Sequence, residues 1–202
     1  MAAILTNLRT TVHVSLALAI IFVVAFIGAG WIELNMALWQ ALARWTHVVA
    51  GVMWIGLLWY FNFVQIPNMP KIPDDQKPAI GKVIAPAALF WFRWGAAFTV
   101  LTGLIVAHLN GYLLQSLTLG AMTGFAVPYH LFIGIGMWMA LIMAFNVWFV
   151  IWPNQKIALG IVEADADAKP KAARTAMLFS RTNTLLSFPM LIAMSMAQTL
   201  FG

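Results

Sequence analysis

The sequence predicts an all-α integral membrane protein: a leading helix, then two repeated hairpins that form a four-helix bundle. Three observations predict it. Hydrophobic residues make up 63% of the 202 residues and charged residues only 8%, against about 45–50% and about 25% in soluble domains. Five apolar runs reach the length of about 20 residues that an α-helix needs to span a bilayer. None of these runs alternates apolar and polar residues, as the strands of a membrane barrel would. The composition excludes a soluble domain, a disordered tail and a nucleic-acid reader, leaving the lipid bilayer as the first partner.

The expected spans are 12–30, 36–66, 84–109, 127–152 and 178–201, within a single membrane domain covering 1–202. Arg9 before the first apolar run has the outline of a secretory signal, but we expect the run to be retained as the first helix. The second run is long enough to tilt or to project beyond the lipid. In the third, Pro86 falls in the first turn, where its missing N–H is tolerated. The fourth stops before Pro153. Pro189 is expected to kink the fifth.

Charge gives the orientation. Lys71, Lys77 and Lys82 follow the second run, and Lys156, Lys169, Lys171, Arg174 and Arg181 lie between the fourth and the end of the fifth-helix entry. The segment from Asn110 to Ala126 carries no charge. Lys and Arg collect in cytoplasmic loops. The expectation is a multi-pass protein of a bacterial inner membrane with a cytoplasmic N-terminus, and the net charge of +5 is a topology signal.

The second and fourth runs resemble each other. His47, Gly51, Met53-Trp54, Phe61-Asn62 and Pro67-Asn68 recur in order as His130, Gly134, Met137-Trp138, Phe145-Asn146 and Pro153-Asn154. Paired hairpins of this kind build bundles whose facing helices hold cofactors.

Ionisable residues within membrane spans are costly and usually functional. The expected helix directions put His47, His108 and His130 in one outer layer, with His13 near the other face. A His followed by a Gly four residues on has a cleared surface one turn away. In both His47–Gly51 and His130–Gly134 a flat macrocycle could lie on that surface while the imidazole coordinates iron. Trp54 and Trp138 would wall it, and Arg44, one turn before His47, would pair with an outward propionate. This points to haem b, which needs no Cys; the chain has none and so no c-type attachment. His47, His130 and His108 are equally a candidate set for copper or zinc, since imidazole suits both. Each His could also serve simply as a hydrogen-bonding group between helices. Arg93, at membrane depth with few acids to meet, must snorkel, face a wet cavity or bind an anion.

The stretch from His47 through Gly51 and Trp54 to Gly56 resembles the His-Gly-Trp-Gly helix of the membrane domain of bacterial membrane-bound urate oxidases. Ser180-Arg181-Thr182-Asn183-Thr184, followed by Pro189 and Met194, resembles that domain's last motif. The resemblance spans the second to fifth helices. It implies a multi-helix membrane domain with membrane histidines, joined in full-length members to a C-terminal cytochrome c. It carries His47 and His130 over as haem ligands and His108 as a third candidate. Two departures stand out: there is no Cys for a cytochrome c module, and Gln198 stands where the resemblance implies a His. Electrons would then pass to an external partner such as a cytochrome c or a larger membrane complex. The functional expectation is a haem b electron-transfer protein, either alone or as a subunit of a respiratory or oxidase complex. A copper-binding or copper-transport protein and a cofactor-free structural accessory subunit stand as alternatives. No acid–base pair suggests catalysis by the chain alone.

Overall fold

A computed structural model describes residues 2–201. It contains five helices long and apolar enough to cross a membrane: Leu8–Gly28, Met36–Lys71, Lys77–Leu109, Pro128–Ala158 and Ala168–Phe201. No strand occurs among the described residues. The chain divides into two compact units, Met1–Leu42 and Ala43–Gly202. The first holds the first long helix, capped by the Asn7 side chain accepting from the Arg9 and Thr10 amides. The second helix starts in that unit, where the Asn35 side chain accepts the Ala37 amide, and continues into the second unit.

The helices outrun the apolar spans. The second continues to Lys71, the third starts at Lys77 and the fifth at Ala168. Apolar length marks only what lipid would cover, whereas backbone hydrogen bonds continue through Lys and Arg, which are good helix formers. The fifth helix runs through Pro189 without interruption.

Within the second unit, the second to fifth helices pack as a bundle. Trp54, Leu58, Phe92, Leu89, Met143, Val147 and Ile151 form its core, none more than 2% exposed. Gly95 lets the third helix approach the second, since a Cβ there would lie 3.2 Å from the Trp54 amide nitrogen. Gly136 does the same between the fourth and fifth, at 2.6 Å from the Ala193 Cβ.

A polar seam runs along the fifth helix. Fully buried Asn183 donates to the Met143 carbonyl at 2.9 Å and accepts from the Asn146 amide at 2.9 Å. Asn62 donates to the Ser180 hydroxyl at 2.8 Å, and the Trp59 indole to the Ser187 hydroxyl at 3.0 Å. The repeated Phe-Asn pairs thus do equivalent work. The two asparagines also each lie in a π-helical turn, Asn62 within Tyr60–Gln65 of the second helix and Asn146 at the start of Asn146–Ile151 in the fourth.

The third helix ends in a Schellman motif. Gly111 takes φ +74°, its amide reaches the His108 carbonyl, and the Tyr112 amide reaches the Ala107 carbonyl. The chain then makes a short helix, Leu113–Leu117, and a 3-10 turn, Ala121–Thr123. This connection folds back on the fourth helix: the Trp138 indole donates to the Leu117 carbonyl at 2.9 Å.

Candidate functional site

Toward the end of the bundle that carries Arg44 and Gln198, the four helices leave a cavity of about 570 Å³. This lies within the range of about 300–1,000 Å³ typical of ligand sites. Most of its wall is apolar, including Trp54, Ile133, Met137, Met190 and Met194. Its polar lining includes Arg44, His47, Thr99, Tyr112, Tyr129 and Gln198.

The second helix supplies Arg44, His47, Gly51 and Trp54, spaced by three, four and three residues and so on one face. His47 is held from behind. Its Nδ1 lies 2.9 Å from the Thr99 carbonyl and 3.3 Å from the Thr102 hydroxyl. A carbonyl only accepts, so Nδ1 carries the hydrogen, and in the neutral ring Nε2 keeps a free lone pair. Gly103 seats the ring on the third helix, because a Cβ there would come within 2.9 Å of Cε1. Gly51 leaves open space: a Cβ added to it would meet only the Thr99 Cγ2, at 3.9 Å. Trp54 is fully buried, and its indole N–H has no hydrogen-bond partner.

Arg44 and neutral polar groups meet at one end of the cavity. Arg44 donates to the Gln198 side-chain oxygen at 2.7 Å. Tyr112 and Tyr129 meet edge to face, 5.1 Å between centroids. Burial pushes the Tyr112 phenol above its ordinary pKa, and its hydrogen bond to Tyr129 adds to this, while the Arg44 charge pulls the other way.

The fourth helix presents a face that the sequence spacing did not anticipate. Tyr129, Ile133, Met137 and Ala140 line the cavity. The His130–Gly134 stripe lies one residue round, a rotation of about 100°, and does not line it. His130 instead has Nδ1 3.4 Å from the Thr123 hydroxyl. At Gly134 a Cβ would lie 2.3 Å from the Ser116 carbonyl oxygen, so the glycine accommodates the connecting segment and is no cofactor notch. Trp138 is 45% exposed and bonded to that same segment. His108 is exposed at the end of the third helix. Among the described residues, no three of His, Asp and Glu group closely enough to hold a metal ion. The expected set of His47, His108 and His130 therefore does not assemble as a metal centre.

Thr99, Gly103, Tyr112 and Tyr129 escaped the sequence reading. The chain has only three Tyr, one inside the uncharged connection and one just after it, which is the one signal that pointed to them. Gln198, expected as a missing His, is the residue that holds Arg44.

Residues 112–198 match the family model described as urate oxidase N-terminal. The match takes in the fourth helix and most of the fifth, including Ser180-Arg181-Thr182-Asn183-Thr184, and leaves the His47–Gly56 stretch outside. No curated protein and no solved structure matches the chain.

Proposed function

We propose that the bundle binds haem b in this cavity, where His47 would hold the iron, and serves in electron transfer within a membrane. One observation carries the reading: the Nδ1 of His47 is fixed on the Thr99 carbonyl at 2.9 Å. Metal-ligating histidines commonly donate their second ring N–H in this way, which sets the tautomer and raises ligand basicity. Nε2 is the atom left to bind iron.

The other residues fit the same group. Arg44 is a partner for a propionate, Gly51 leaves a flat surface beside the ligand, and the buried indole N–H of Trp54 lacks an acceptor. The Met and aromatic walls give the ring an apolar setting. When bound, haem iron supplies one-electron transfer, and its potential responds to the axial ligand and to burial. His108 and His130 lie outside the cavity lining and drop out of the ligand set. The similarity of residues 112–198 to urate oxidase N-terminal regions supports a setting beside an oxidoreductase. A cytochrome c or a larger membrane complex would receive the electrons. The Lys-rich connections support an N-terminus on the cytoplasmic side of a bacterial inner membrane. Single Cys residues placed at each connection of this Cys-free chain would test it by labelling from either side.

The decisive measurement is the absorption spectrum of protein purified from haem-replete cells, oxidised and reduced. A Soret band, with α and β bands on reduction, is expected. A colourless preparation overturns the reading, and copper found without porphyrin replaces it with copper binding.

A further inference from the structure

The second unit also holds a cationic cluster that the haem reading does not use and that does not rest on it. Arg93, in the third helix, is only 9% exposed. Its guanidinium carbon lies 3.4 Å from the centroid of the Trp152 ring, and the Lys156 ammonium lies 5.7 Å from the same centroid. Trp152 and Lys156 are four residues apart on the fourth helix and share a face. An indole quadrupole attracts each cation, but the two cations repel each other.

Nothing among the described residues neutralises them. The ion pair found there joins Lys77 to Asp74, and every Asp and Glu lies in a connection between the long helices. The Arg93 Nη1 is buried with no hydrogen-bond acceptor. Gln155, one turn on from Trp152, also has its side-chain oxygen buried without a partner, and rotating that amide would present its NH₂ instead. A buried, charged N–H group without an acceptor is costly. What the cluster lacks is an anion with several acceptor oxygens. Trp152 lies in the last turns of a helix ending at Ala158, near Lys156 and the Lys-bearing connections. In a spanning helix this is the level of lipid headgroups, where Trp collects.

We propose that Arg93, Trp152 and Lys156 form a binding site for a phosphate group, with Arg93 and Lys156 donating to its oxygens and Trp152 holding the guanidinium in place. A phosphodiester of a membrane phospholipid and free phosphate share this chemistry.

Native mass spectrometry of the full chain in detergent tests it. The probes are phosphatidylglycerol, diacylglycerol as its phosphate-free counterpart, and inorganic phosphate. Wild-type protein is expected to retain phosphatidylglycerol about tenfold better than diacylglycerol, the scale of charge-assisted hydrogen bonds. Arg93→Gln and Lys156→Gln should each remove most of that preference, and Arg93→Lys should keep part of it. Competition by inorganic phosphate would show that the free ion also binds. Arg93-dependent lipid retention without such competition would identify the lipid as the source. Equal retention of both lipids by wild-type protein overturns the proposal, as does unchanged preference in both Gln variants. If Arg93→Gln yields no folded protein, Lys156→Gln, at a half-buried position, decides alone.

Discussion

His47–Gly51 and His130–Gly134 are the same pattern on two helices of one bundle, and their surroundings differ completely. Beside Gly51 the nearest side-chain atom to an added Cβ is 3.9 Å away, whereas beside Gly134 a backbone oxygen is at 2.3 Å. The His47 ring is clamped between a carbonyl and a glycine of the third helix. The His130 ring has a long hydrogen-bond contact with a hydroxyl and an edge contact with the Tyr129 ring beside it. A glycine clears a patch of helix surface, but the next element decides what fills it. In the fourth helix that element is the connection carrying Ser116, so the vacancy becomes a packing contact. In the second it becomes part of a cavity wall.

The contrast can be broken most directly at the histidines. His47→Ala is expected to abolish the haem spectrum of the purified protein, while His130→Ala keeps it. Bleaching by both would mean that the two sites are equivalent after all. A smaller effect is expected one shell out. Gly103→Ala puts a methyl against the His47 ring and should weaken haem binding by about 10–100-fold, the usual cost of disturbing a ligand's support, as read by haem titration of the apoprotein.

Stability separates the two glycines next. Gly134→Ala forces the connection off the fourth helix and should cost about 1–3 kcal/mol. Gly51→Ala makes an ordinary contact and should stay within about 0.5 kcal/mol of wild type apart from helix propensity. Unfolding in mixed detergent measures both, and equal costs would erase the distinction.

The smallest effect concerns the polar end of the cavity. The phenol of Tyr112 is harder to ionise in the folded chain, while in the unfolded chain it titrates near about pH 10. Below that pH both states hold the proton and stability is unaffected. Above it only the unfolded state releases the proton, so stability falls as pH rises further. Tyr112→Phe should flatten that alkaline decline in a pH series of melting curves.

The all-helical class and the five long helices were legible because apolar run length is a direct physical requirement of lipid. The cavity face of the second helix was legible too, since Arg44, His47, Gly51 and Trp54 follow helical spacing within one segment. Its partners were not. Thr99, Tyr112, Tyr129 and Gln198 come from the third helix, the connection, and the fourth and fifth helices, and only packing brings them together. The absence of His130 from the cavity lining has the same root. Sequence similarity fixed the spacing along the fourth helix but left its rotation about its own axis open, and a turn of one residue sends His130 away. The segment that closes over Gly134 was only partly announced: Gly120 and Gly124 mark its turns at φ of 82° and 58°, but Leu119 and Phe125 beside them also take positive φ, of 52° and 62°, which residues with side chains rarely adopt.

The π-helical turns at Tyr60–Gln65 and Asn146–Ile151 act as phase shifters. Each lodges one residue more than an α-turn would, so the helix leaves it advanced by roughly 100°. The same helix can then show one face to the cavity at one end and a different face to its neighbours at the other. Deleting a single residue from such a turn would leave composition and hydropathy nearly untouched and put the two ends out of step.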